Sequence, residues 1–73
     1  MADVTLDCKG LVCPLPIAKV QKEVRNMAAG QTLEVVADCG TFAADIKEWC
    51  EKTNHPLISI NTAGTVTTAT VRV

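Results

Sequence analysis

Aromatic side chains, histidine and an excess of charge of either sign are all scarce in this sequence. It holds one phenylalanine, one tryptophan, no tyrosine and a single histidine, His55. A core built from it must therefore be mostly aliphatic. Paired Cys-x2-Cys or His-x3–5-His spacings, the usual mark of a zinc site, do not occur: four residues separate Cys8 from Cys13, and ten separate Cys39 from Cys50. No metal site is expected. A formal net charge of −1 gives no basic footprint for nucleic acid, and direct nucleic-acid binding is not expected. No charged-then-apolar leader opens the sequence, and no run approaches the ~18 apolar residues of a membrane span. A cytoplasmic location is the expectation, and there the four cysteines would be kept reduced rather than paired as in a secreted domain.

What is present suffices for one small domain. The chain has 73 residues, 48% of them apolar, and reads as a single domain over 1–73 without linker, repeat or low-complexity segment. A domain of this size buries only about 60% of its unfolded surface and is marginally stable. Asp3 to Asp7 alternates and reads as a strand, with Val4 and Leu6 on one face and Cys8 continuing it as a small apolar filler. From Pro14 to Met27 the apolar positions Ile17, Val20, Val24 and Met27 recur at helical spacing. Gly30 is a plausible left-handed cap for that helix.

Thr32 to Ala37 is rich in strand formers. Asp38-Cys39-Gly40-Thr41 then opens a second helix, with Asp38 the first choice of N-cap and Thr41 a later one. Phe42, Ile46, Trp49, Cys50 and Thr53 share one face of it, which makes Trp49 and Cys50 core residues. Asn54-His55-Pro56 ends the helix. Leu57 to Asn61, with Ile58 and Ile60 inward, and Thr65 to Val73 form a hairpin about Thr62-Ala63-Gly64. The order is βαβαββ, an α+β two-layer sandwich with two helices on one face of a four-stranded mixed sheet.

The stretch that carries chemistry is Gly10-Leu11-Val12-Cys13-Pro14-Leu15-Pro16. Proline suits the first helical position, and the residue before a proline is pushed out of the helical region. Cys13 therefore reads as an N-cap, its sulfur facing unpaired N–H groups and the positive end of the helix dipole. Both favour thiolate, the reactive form. Pro14 and Pro16 read as a stiff collar, and Gly10 as the place where the loop needs a positive φ. The alternative is a plain helix start with an inert cysteine.

Parallel first and second strands would bring Cys13 and Cys39 to one rim of the sheet, with Cys8 close by. His55 falls at the opposite rim, so a Cys-His dyad is not expected. Cys39 reads either as a second thiol that exchanges with Cys13 or as a small residue at a helix start. Lys9, Lys19 and Lys22 are candidate contacts for an anion or a partner, or ordinary solvated charges.

Leu6-Asp7, Gly10-Leu11, Cys13-Pro14-Leu15-Pro16, Gly30, Asp38, Asp45-Ile46 and Trp49-Cys50 together resemble the TusA/SirA family of small sulfur carriers, over almost the whole chain. The resemblance implies the same βαβαββ sandwich and a persulfide carried on Cys13. It implies sulfurtransferase activity with no cofactor. The implied partners are a cysteine desulfurase, a rhodanese or a similar donor, and an acceptor protein. Asp38-Cys39 stands where many members have Asp-Pro, and is similar to the YeeD branch. That branch implies thiosulfate as donor and a YeeE-type thiosulfate transporter as partner. Two other readings compete: a non-catalytic RNA- or protein-binding regulatory module, and a Cys13/Cys39 dithiol redox protein.

Overall fold

Hydrophobic periodicity of two and of 3.6 alternates along the chain, and the elements follow it. The structure, a computed structural model, describes residues 3–12 and 15–73. Strand β1 spans Val4–Asp7, helix α1 Leu15–Arg25, strand β2 Thr32–Ala37, helix α2 Phe42–Thr53, strand β3 Leu57–Ala63 and strand β4 Val66–Arg72. The sheet order is β1-β2-β4-β3, with β1 parallel to β2 and the other two pairings antiparallel. Both helices cover one face, giving the expected two-layer sandwich.

Strand β2 shows why that face is the inner one. Leu33, Val35 and Ala37 are fully buried, whereas Thr32, Glu34 and Val36 on the other side are only partly covered. Successive strand side chains point to opposite faces, so one alternating hexapeptide supplies both a core surface and an outer one. From β4, Thr67, Ala69 and Val71 join the inner face. Helix α1 lays Pro16 and Val20 onto it, with Ile17 and Val24, and Met27 just past the helix end, at the margin. Helix α2 adds Phe42, Ile46, Trp49 and Cys50. Enclosing a side chain the size of Phe42 removes enough apolar surface from water to stabilise by about 2–3 kcal/mol.

Four local expectations are corrected. Helix α1 ends at Arg25, so Gly30 (φ 91°) shapes the turn Ala28–Gln31 rather than capping the helix. Thr53 is exposed, its hydroxyl donating to the Trp49 carbonyl at 2.7 Å. The hairpin turn is Gly64-Thr65, with Thr62 and Ala63 still in β3. Ile58 faces outward, 48% exposed, because the register shifts between Leu57 and Ser59. One extra residue at such a bulge moves the alternation to the other face. Leu57 and Ile60, rather than Ile58 and Ile60, therefore pack on the core.

Candidate functional site

Parallel pairing of β1 with β2 sends both strand-to-helix connections out of the same end of the sheet. The ladder extends one rung past β1, where the Cys8 N–H donates to the Val36 carbonyl at 2.6 Å. Cys8 is fully buried and free, as a filler should be. Burial pushes its thiol above the ordinary value; Lys19 opposes that shift and Asp7 adds to it.

Beyond Cys8 the next three amides are tied. The Lys9 N–H donates to Asp7 Oδ1 and the Gly10 N–H to Asp38 Oδ1, both at 3.0 Å. The Leu11 N–H donates to the Cys8 carbonyl at 3.3 Å. Gly10 takes φ 85°, the positive value expected of it. Leu11 packs against the core, and Val12 turns outward, 72% exposed.

Cys13 and Pro14 lie outside the described residues, and with them the N-cap reading and any separation from Cys39. The described residues on either side are placed. Leu15 is 48% exposed, and its N–H donates to the Val12 carbonyl at 2.9 Å. Pro16 is the second residue of α1 and fully buried. Its missing N–H costs no helical bond, since the first four amides of a helix have no intrahelical acceptor. Pro16 thus anchors the helix start on the sheet, and Leu15, despite preceding a proline, is helical.

Across the rim, Cys39 is half-buried and disulfide-bonded, with Sγ 3.6 Å from Thr41 Oγ1. Thr41 is the N-cap of α2 by position but not by hydrogen bond: its hydroxyl donates to Asp45 Oδ2 at 3.0 Å. Asp38, the first choice of cap from sequence, reaches across to the neighbouring loop instead. Its spacing to α2 fits a cap, and nothing in a one-dimensional pattern marks a bond to a residue 28 positions earlier.

Lys9, Lys19 and Lys22 are all exposed. The Lys52–Glu48 pair, 2.7 Å apart on α2, is the salt bridge among the described residues, so the three lysines keep their charges open. His55 follows α2 and stacks on Trp49, ring centroids 5.3 Å apart at 23°. It lines a cavity of about 440 Å³ with Cys50, Asn54 and Leu57. That cavity is at the other end of the sheet from the tied loop. The tied loop leads into the Cys13 motif and faces Cys39 across the rim, so the rim and not the cavity is the candidate site. Among the described residues no three His, Cys, Asp or Glu side chains cluster to hold a metal, and no helix is long and apolar enough to cross a membrane.

Known proteins resemble this arrangement. The family model described as "Sulfurtransferase TusA" matches residues 4–73. A Bacillus subtilis (strain 168) protein named "Putative sulfur carrier protein YrkF" is 35% identical over 65 residues, 89% of this chain. The chain spans only 35% of that relative's length. The crystal structure of a SirA-like protein from Desulfitobacterium hafniense superposes with a TM-score of 0.82 at 21% identity, covering 94% of this chain and 95% of the other. At that identity the likeness is one of fold.

Proposed function

We propose that this chain, which belongs to the sulfurtransferase TusA family, carries sulfane sulfur on Cys13 as a persulfide and passes it to a partner protein. The observation that supports this best is the setting of the motif. Val12, at the end of a loop whose preceding amides are tied down, and Leu15, at the start of α1, are the described residues on either side of Cys13-Pro14, and both are outward-facing apolar side chains. Exposed apolar groups beside a reactive position suit brief docking of a donor or acceptor.

Thiosulfate is the donor we favour, through the YeeD-like Asp38-Cys39. The Cys13 thiolate attacks the outer, sulfane sulfur. A new S–S bond forms to Cys13, the old S–S bond breaks, and its electron pair leaves with sulfite. This is the displacement of thiol–disulfide exchange. It needs no base at the site once the thiolate exists, in keeping with His55 lying at the other end of the sheet from the tied loop. Lys9, Lys19 and Lys22 draw the anion toward the rim. A YeeE-type transporter would then be the source of thiosulfate. A desulfurase or rhodanese would be the donor if sulfur arrives from a protein persulfide instead.

Intact mass decides. The reduced protein is incubated with thiosulfate, and separately with a cysteine desulfurase and cysteine, alongside Cys13→Ser and Cys39→Ser. A gain of one sulfur that vanishes with Cys13→Ser is expected. No gain from either donor, with Cys13 still open to alkylation, overturns the carrier reading. One observation favours a second reading, a Cys13/Cys39 dithiol redox protein: Cys39 is disulfide-bonded. That reading predicts a reversible loss of two titratable thiols under oxidant, with no sulfur gained.

A further inference from the structure

We propose that Asp38 is a positioning residue for the Cys13 loop: its carboxylate, planted at the end of β2, fixes the path by which the chain leaves β1 for the motif. What is positioned rests on the sulfur-carrier reading. The tie itself is a matter of geometry.

Three consecutive amides leave β1, and each has an acceptor. Those of Lys9 and Leu11 go to Asp7 and Cys8, at the end of the β1 ladder. The Gly10 amide alone is held from another strand, by Asp38 Oδ1 at 3.0 Å. It is also the amide that most needs holding. Gly10 has no side chain to restrict it, and glycine populates many conformations besides the φ of 85° adopted here. The bonds at Lys9 and Leu11 run back to Asp7 and Cys8 and hold the loop from the β1 side only. The Asp38 bond adds a tie from the β2 side, because Asp38 directly follows Ala37, which is fully buried in β2.

A carboxylate bound to an N–H is also a charge-assisted acceptor, and such bonds are shorter and stronger than neutral ones. Asp38 and Gly10 are both exposed, so the bond adds little to global stability and acts mainly on where the loop sits. The sequence reading of Asp38 as a helix cap would make it a determinant of α2. The structure assigns it to the other loop.

The test uses the reduced full chain in three forms: wild type, Asp38→Asn and Asp38→Ala. Sulfur gain from thiosulfate and alkylation of Cys13 by iodoacetamide are timed by mass, with Cys13 resolved by peptide mapping. Asn keeps a carbonyl able to accept the Gly10 N–H, whereas Ala keeps nothing. Asp38→Ala is expected to slow both reactions about tenfold or more, since a misplacement of ~1 Å can cost up to ~100-fold. Asp38→Asn is expected to stay within about threefold of wild type, the range of a surface change that keeps its contact. The Gly10 amide should be protected from hydrogen exchange in wild type and Asn and lose that protection in Ala.

An Ala variant that reacts at the wild-type rate, or an Asn variant as slow as Ala, overturns the proposal. Should Ala fail to fold, Asn decides alone: near-normal rates with Gly10 protected support it, and slow rates overturn it. If wild type gains no sulfur, the carrier reading fails, while the alkylation rates still test the tie with the same expected order.

Discussion

Burial sets the chemistry of Cys8 and Cys50. Cys8 is fully enclosed and Cys50 is 6% exposed. Loss of hydration pushes both thiols above their ordinary range, because the thiolate loses most by leaving water. Such groups stay protonated and act as small apolar fillers. Cys50→Ser should therefore cost about 1–3 kcal/mol in urea unfolding, from a hydroxyl in an apolar site, and leave sulfur gain per folded molecule unchanged. Loss of sulfur gain in a fully folded Cys50→Ser protein would contradict this. The burial of these two residues was legible, since each falls on an apolar face at strand or helix spacing. The role of Asp38 was not. An acidic residue just before a helix fits a cap by spacing, and its bond to Gly10 exists only because β1 and β2 lie side by side.

At the scale of the element, β2 and β3 show what periodicity can and cannot deliver. Strand β2 alternates without interruption and runs over Thr32–Ala37, the limits its composition implies. Strand β3 begins the same way, but the shift between Leu57 and Ser59 breaks the alternation. A bulge has no compulsory residue, so a pattern of Leu57-Ile58-Ser59-Ile60 reads equally well with either face inward. The two isoleucines should now behave differently. Ile58→Thr, at an exposed site, should change stability by no more than about 0.5 kcal/mol. Ile60→Ala, packed against the core, should cost about 1–2 kcal/mol, somewhat less than a fully buried deletion. Equal losses by urea titration would mean that the alternation continues and that the bulge is misplaced. The two helices were legible for the opposite reason: a stripe four or five residues deep tolerates an error at one end, as at Thr53, without changing which face is buried.

For the molecule as a whole, two buried thiols in one small core have a consequence that neither has for reactivity. A group whose folded-state pKa lies above its unfolded one favours folding while protonated in both states. That contribution is complete below the unfolded value and declines as pH rises toward the folded one. For Cys8 and Cys50 both shifts are upward from 9.0, with burial the leading cause in each case. The melting temperature should then be flat toward neutral pH with respect to these groups and fall above about pH 9. In a 73-residue domain the change should be easy to read, since 1 kcal/mol moves the melting temperature by about 4–8 °C. Replacing both residues by alanine removes the groups that titrate. The doubly substituted chain should start lower, for lost packing, and descend less steeply through the alkaline range than the wild type. Parallel descents would mean that burial does not hold these thiols neutral, and that the alkaline weakness of the fold comes from its other titrating groups.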